Sequence, residues 1–262
     1  MMEIRTVSVR GAELRYFSFG EGTRPFLIVP GMSLHSVMPS ADAIAEGYAA
    51  FGEHYRVYVF DRRTPLPQGF GVDDMAKDLA EAMIALGLGE ADVFGASQGG
   101  MIVQSLAILY PELVRRAVVC STQPRMNAFA AATLEAWKRY ALAGDVAKLN
   151  RSFASHVYAP AFYEAFRSVF EAMETEGTPE ELADFVVSCD ATATFDVYGR
   201  LDRIRCPFLV LGAERDGVIS SLGSREIAEK LSCECILYPD FGHAVYDENP
   251  SIRQTILSFL LS

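Results

Sequence analysis

The chain is poor in positive charge: 23 Lys and Arg face 34 Asp and Glu over 262 residues, a net charge of −11 with histidine neutral. Nucleic acids and anionic membrane surfaces are held through clustered cations, so neither is an expected partner. No apolar run approaches the 18 or so residues that a membrane-spanning helix needs. The first residues, Met1 to Ser8, lack a positively charged stretch followed by an apolar one, so no signal peptide is read and a cytoplasmic protein is expected. Cysteines are few and odd in number: Cys120, Cys189, Cys206, Cys233 and Cys235 lie far from metal-ligand spacing. Cys233 and Cys235 share one face of a predicted strand, but no second Cys or His pair completes a zinc site. Buried, inert thiols are the expectation, and no metal. A P-loop is missing, since no Gly-Lys-Ser/Thr occurs; Gly69-x-Gly71 is followed by Asp74 where a dinucleotide fingerprint needs a third glycine. No cofactor is expected.

What the chain has is apolar content, 50% of its residues, enough for one large domain or one domain carrying an inserted subdomain. Residues 3 to 9 and 12 to 19 alternate around Arg10-Gly11, the pattern of an antiparallel hairpin at a sheet edge. Short runs rich in β-branched residues follow: Pro25 to Pro30, Arg56 to Asp61, Asp92 to Ala96, Arg116 to Ser121, Pro207 to Gly212 and Glu234 to Tyr238. Near-continuous apolarity marks strands buried on both faces. Between them lie helical patterns at 73 to 87, stopped by Gly87, and at 99 to 110, stopped before Pro111. Two more run from Ser224, a candidate N-cap, to 231 and from Pro250, at N1, to about Leu260. Strands alternating with helices predict an α/β fold with a mostly parallel sheet flanked by helices.

Residues 123 to 200 break the alternation. They contain no convincing strand, only helical segments punctuated by Gly144, Pro160, Gly177 and Pro179. Twelve of the 29 aromatic side chains fall in these 78 residues, more than their share of the length. A helical insertion over 123–200 is therefore expected, inside a core made of 1–122 and 201–262. Most of its rings should form its own core, and a minority should line a pocket where it meets the sheet.

The most informative segment is Val93-Phe94-Gly95-Ala96-Ser97-Gln98-Gly99-Gly100, a predicted strand running straight into a helix. The G-x-S-x-G within it is weak alone, because Gly and Ser are common residues. At a strand-to-helix turn it gains meaning: the turn residue is strained with its side chain above the sheet, and flanking glycines let the two elements approach. The serine also sits at a helix N-terminus, which favours developing negative charge. A serine nucleophile needs a base and a carboxylate behind it. Of four histidines, His243 lies in the loop between the last predicted strand and the final helix, at the sheet edge where such sites gather. His54 and His156 have no comparable setting. Asp216 follows the preceding strand, with Glu214 and Asp240 as nearby rivals, and the order Ser97, Asp216, His243 suits a nucleophile elbow.

These residues resemble an α/β-hydrolase-fold serine hydrolase with a helical cap, similar to proline iminopeptidases, enol-lactonases and small esterases. The resemblance spans the chain: Val29-Pro30-Gly31-Met32, Phe60-Asp61-Arg62-Arg63, the Gly95 to Gly100 elbow, the Gly212 to Val218 loop, and Gly242-His243-Ala244 with Glu248-Asn249-Pro250. It implies oxyanion donors at the backbone N–H groups of Met32 and Gln98. It also implies hydrolysis of a small ester, lactone, thioester or amide, carboxylesterase-like or lactonase first. Ser97 in place of an aspartate argues against the haloalkane-dehalogenase and epoxide-hydrolase branches. Carbon–carbon bond hydrolysis, lyase or perhydrolase chemistry can use the same triad, and a ligand receptor on this fold is the alternative outside enzymes. Asp61-Arg62 resembles a family feature that ties loops together beneath the site, with substrate contact the other possibility. Arg125 could meet a substrate carboxylate or remain on the surface. His35, next to the oxyanion loop, is a substrate-contact candidate without an evident partner.

Overall fold

In the computed structural model, which describes every residue except Glu174 and Glu176, the predicted strands assemble into one eight-stranded sheet. They are β1 (Arg5–Val9), β2 (Ala12–Phe19), β3 (Arg24–Val29), β4 (Tyr55–Phe60), β5 (Ala91–Ala96), β6 (Val114–Cys120), β7 (Phe208–Ala213) and β8 (Glu234–Tyr238). The order is β1-β2-β4-β3-β5-β6-β7-β8. The β1-β2 hairpin and the β2-β4 pairing are antiparallel; from β4 to β8 all neighbours run parallel. The C-terminal ends of β3, β5, β6, β7 and β8 therefore share one edge.

Side chains along a strand alternate between faces, and the two faces build two cores. Leu27, Val93, Val119 and Val210 point to one side, where they meet α2 (Val72–Ala85), α3 (Gln98–Leu109) and, later in the chain, the helix over Leu222–Leu231. Ile28, Phe94, Cys120 and Leu211 point to the other side, against a short α1 (Ala41–Gly47) and the C-terminal helix over Ser251–Leu261. Burial on both faces is why these strands read as continuous apolar runs.

Between β6 and β7 the chain is helical: α4 (Ala128–Leu142), α5 (Val146–Val157), α6 (Pro160–Ala165), α7 (Arg167–Met173) and α8 (Pro179–Ala193). Trp137 and Phe185 are buried here, with Phe153 against the indole at 4.7 Å between ring centres. That apolar cluster does not close on itself. It includes Val218, Ile219 and Ala244 from the loops after β7 and β8, with Met32 and Leu34 packed on its margin. Asn127 makes one such connection. Its Oδ1 accepts from the Ala130 N–H (2.9 Å) as the N-cap of α4, and its Nδ2 donates to the Ile219 carbonyl (3.0 Å). Asn127→Ala is expected to lower the free energy of unfolding by about 1–2 kcal/mol. Urea denaturation measures this, and an unchanged midpoint would count against the cap. Asn127→Asp, which keeps the acceptor and loses the donor, should fall between the two.

After β7 come α9 (Leu222–Leu231), then α10 (Val245–Glu248) and α11 (Ser251–Leu261). Two expectations are corrected. Ser224 is not an N-cap: α9 starts two residues earlier, and Ser224 is buried in its first turn, where its hydroxyl packs against Gly212. Pro250 precedes α11 as its cap residue rather than opening it, and Asn249 Oδ1 accepts from the Ser251 N–H at 3.1 Å. Cys120 and Cys189 are buried as expected, whereas Cys206, Cys233 and Cys235 are half-buried. Among the described residues no helix is long and apolar enough to cross a membrane.

Candidate active site

At the end of β5 the chain turns into α3 through Ser97, whose φ of 54° and ψ of −123° are unfavourable for a residue with a side chain. The neighbouring glycines hold it there. A Cβ on Gly99 would stand 2.0 Å from the Val29 carbonyl oxygen, and one on Gly95 would stand 2.4 Å from the Gly99 carbonyl oxygen. No side chain fits either gap. Gly100 leaves room for Thr122, whose hydroxyl donates to the Ser97 carbonyl at 2.8 Å. The Ser97 N–H donates to the Cys120 carbonyl (2.9 Å), so the turn is fixed from β6 as well.

Two strands away, the loop after β7 carries Asp216, and the loop after β8 carries His243. Both side chains are buried, at 2% and 3% exposure, and Asp216 Oδ2 lies 2.8 Å from His243 Nδ1. The other oxygen, Oδ1, accepts from the N–H groups of Val218 (2.8 Å) and Ile219 (2.9 Å). Burial alone would raise the Asp216 pKa; the His243 ring and the two N–H groups outweigh it and hold the carboxyl below its ordinary range. The rivals are engaged elsewhere: Glu214 pairs with Arg225, and Asp240 with Arg215 at 3.1 Å. Of these three carboxylates, Asp216 is thus the acid that reaches the imidazole.

Both loops rest on the helical segment. The Ala244 N–H donates to the Val157 carbonyl at 2.9 Å, and a Cβ on Gly242 would come within 2.6 Å of the Ala159 nitrogen. The loop after β3 approaches the serine from the opposite side, with a Gly31 Cβ position 3.1 Å from Ser97 Cβ. Met32 follows Gly31 in that loop, and Gln98, next to Ser97, opens α3. An acid-oriented imidazole and a strained serine thus stand on one sheet edge.

The remaining candidates divide. His35 has a partner that the sequence concealed: its Nδ1 lies 3.0 Å from Glu181 Oε1 on α8. Burial would raise the Glu181 pKa, but His35 and the Thr178 N–H hold it below its ordinary value. His35 thus ties the loop after β3 to α8. Arg125 is turned away, half-exposed, paired with Glu226 at 2.8 Å and lying over the Tyr198 ring. The pocket role considered for it is not supported, because its charge is already answered at the surface. Asp61 receives the Ser36 hydroxyl and the Arg62 N–H, while the Arg62 guanidinium reaches the loop after β3 and Gln98. The pairing of Gln98 with α8 was not visible in the sequence, because the partners lie 90 or more residues apart.

The same fold recurs in known proteins. The 3-oxoadipate enol-lactonase 2 of Acinetobacter baylyi is 24% identical over 253 residues, covering 94% of this chain and 91% of that protein. The crystal structure of MGS-M2, an alpha/beta hydrolase enzyme from a Medee basin deep-sea metagenome library, superposes with a TM-score of 0.88 at 20% identity, over 98% of each chain. A hydrolase from Pseudomonas aeruginosa PA01 gives 0.83 at 25% identity, over 99% of this chain and 98% of its own. The sequence profile of the alpha/beta hydrolase fold matches residues 24–250, from β3 to the start of the last helix, and the chain belongs to that family.

Proposed function

We propose that the protein is a serine hydrolase that cleaves a small ester or lactone through a covalent acyl-enzyme. The observation that carries this reading is the buried 2.8 Å contact of Asp216 Oδ2 with His243 Nδ1. It stands on the sheet edge that also presents the strained Ser97. In this reaction Ser97 Oγ attacks the substrate carbonyl while His243 Nε2 takes its proton. The N–H groups of Met32 and Gln98 meet the charge that gathers on the carbonyl oxygen. Collapse of the adduct breaks the bond to the leaving oxygen, which receives the proton from His243. Water, losing a proton to the same imidazole, then attacks the acyl-enzyme, releasing the acid and returning the proton to Ser97. Asp216 stays ionised and keeps the Nδ1 proton of His243 facing it.

Residues 123–200 serve in this reading as a cap over the sheet edge, and their helices set which acyl group enters. Support comes from the shared apolar cluster and from the Val157 and Asn127 bonds to the loops after β7 and β8. A lactone is favoured among substrates by the enol-lactonase name of the Acinetobacter relative, which matches across nearly the whole length. The test is covalent. A fluorophosphonate probe should add one phosphonyl group to the intact protein, located on Ser97 by peptide mapping, and none to Ser97→Ala. An unlabelled wild type, or equal labelling of both, removes the proposal.

A further inference from the structure

The two N–H groups proposed as oxyanion donors belong to segments that meet at one side chain, Arg62. In a planar peptide the C=O and N–H are rigidly opposed, so whatever holds the Gly31 carbonyl also aims the Met32 N–H. Arg62 Nη1 donates to that carbonyl at 3.3 Å, and to Gln98 Oε1 at 2.9 Å. Its Nη2 donates to the Ser33 carbonyl at 3.2 Å and to the Ser33 hydroxyl at 3.1 Å. Gln98 is held from its other end by α8: Nε2 donates to the Ser188 carbonyl at 3.0 Å and to Thr192 Oγ1 at 2.7 Å. One guanidinium thus joins the loop after β3, the elbow and, through Gln98, the helical segment.

The charge is placed unusually as well. All four acceptors of Arg62 are neutral, and the carboxylates of Asp61 and Asp184 act on it through space rather than by a hydrogen bond among the described residues. Next to it, Arg63 is neutralised by Asp78 through a two-point contact at 2.5 and 2.7 Å. A cation donating to the back of a peptide polarises it and strengthens the N–H at its front.

We propose that Arg62 is the positioning residue of the oxyanion hole, which fixes the Gly31–Met32 peptide and Gln98 together and sets positive charge behind the first. This rests on the acyl-enzyme reading above. The planar fork is essential to it, because a lysine ammonium offers no pair of parallel donors. A group that acts where charge develops affects the transition state more than the bound substrate.

The test uses the full chain, a p-nitrophenyl ester as probe, and a trifluoromethyl ketone that forms a tetrahedral adduct on a serine nucleophile. For Arg62→Met we expect kcat to fall by roughly 10- to 100-fold, short of the loss of a direct donor, with KM within about threefold. The ketone inhibition constant should rise by the factor that kcat/KM falls, as a transition-state contact requires. Arg62→Lys should recover only a minor part. Thr192→Val, which cuts the far end of the relay while leaving Arg62 in place, should show the same kcat-dominated pattern at smaller size, and it carries the test should Arg62→Met fail to fold. An unchanged kcat, a rise confined to KM, or ketone affinity that does not follow kcat/KM overturns the assignment. Labelling of wild-type Ser97 separates the two levels: with labelling and unmoved kcat, only the role of Arg62 fails, whereas without labelling both fail.

Discussion

Asp216→Asn is expected to lower kcat for any substrate of the protein by about 10⁴-fold while the fold stays intact. The loss follows from which oxygen is already committed. Oδ1 accepts two backbone N–H groups, from Val218 and Ile219, so the oxygen of the substituted amide must occupy that position. Its NH₂ group then faces His243 Nδ1, 2.8 Å away in the native protein. An NH₂ cannot accept a proton, so Nδ1 must become the acceptor, and the ring proton moves to Nε2. That is the nitrogen required to take the proton of Ser97, and in this tautomer it has no free lone pair. Because Asp216 is held below the usual carboxylate range, the wild type keeps its anion at ordinary assay pH. The loss should therefore be large at each pH from about 6 to 8 when wild type and variant are compared at the same pH. Stopped assays at three pH values, with thermal melts as a control on folding, measure it. A loss under tenfold in a folded variant would mean that Asp216 does not set the tautomer, and the proposed mechanism would lose its acid.

Much of this arrangement is legible in the sequence because its parts are local. Strands buried on both faces announce themselves as apolar runs, so the apolar pattern places β3 to β8 to within a residue or two of their ends. The elbow reads from five consecutive positions, and the loops bearing Asp216 and His243 follow from the strands they succeed. What fails to show is what depends on distant partners. His35 gives no sign of Glu181, 146 residues later. Ser224 looks like a helix cap because serine favours that position, yet Gly212 leaves room for its hydroxyl inside the first turn of α9. For Arg125 both a pocket and a surface are open, and what decides is Glu226 on α9, a helix placed there only by the completed sheet. Short-range chemistry is thus readable, and the pairings that lock the helical segment onto the sheet edge are not.

The elbow makes the second large effect one of packing. Gly99→Ala should cost about 3 kcal/mol or more, the upper end of what overpacking does. A Cβ at this position stands 2.0 Å from the Val29 carbonyl oxygen and 2.7 Å from that of Pro30. Both obstacles are main chain, so no rotamer change relieves them. Relief must come from moving α3 away from the end of β3, where Val29 is paired with Gly95. At roughly 2–4 °C per kcal/mol for a chain near this size, the melting temperature should fall by on the order of 6–12 °C. The same displacement pulls the Ser97 turn away from Gly31, since both elements meet at this contact, so any folded fraction should also label more slowly with fluorophosphonate. Gly144→Ala is the control: nothing lies within 4 Å of a Cβ there, and only its φ of 68° is strained, which costs on the order of 1–2 kcal/mol. If Gly99→Ala melts no lower than Gly144→Ala and labels at the wild-type rate, then β3 and α3 do not meet this closely. The close approach of backbone at Gly99 could then not be what holds Ser97 in its strained turn.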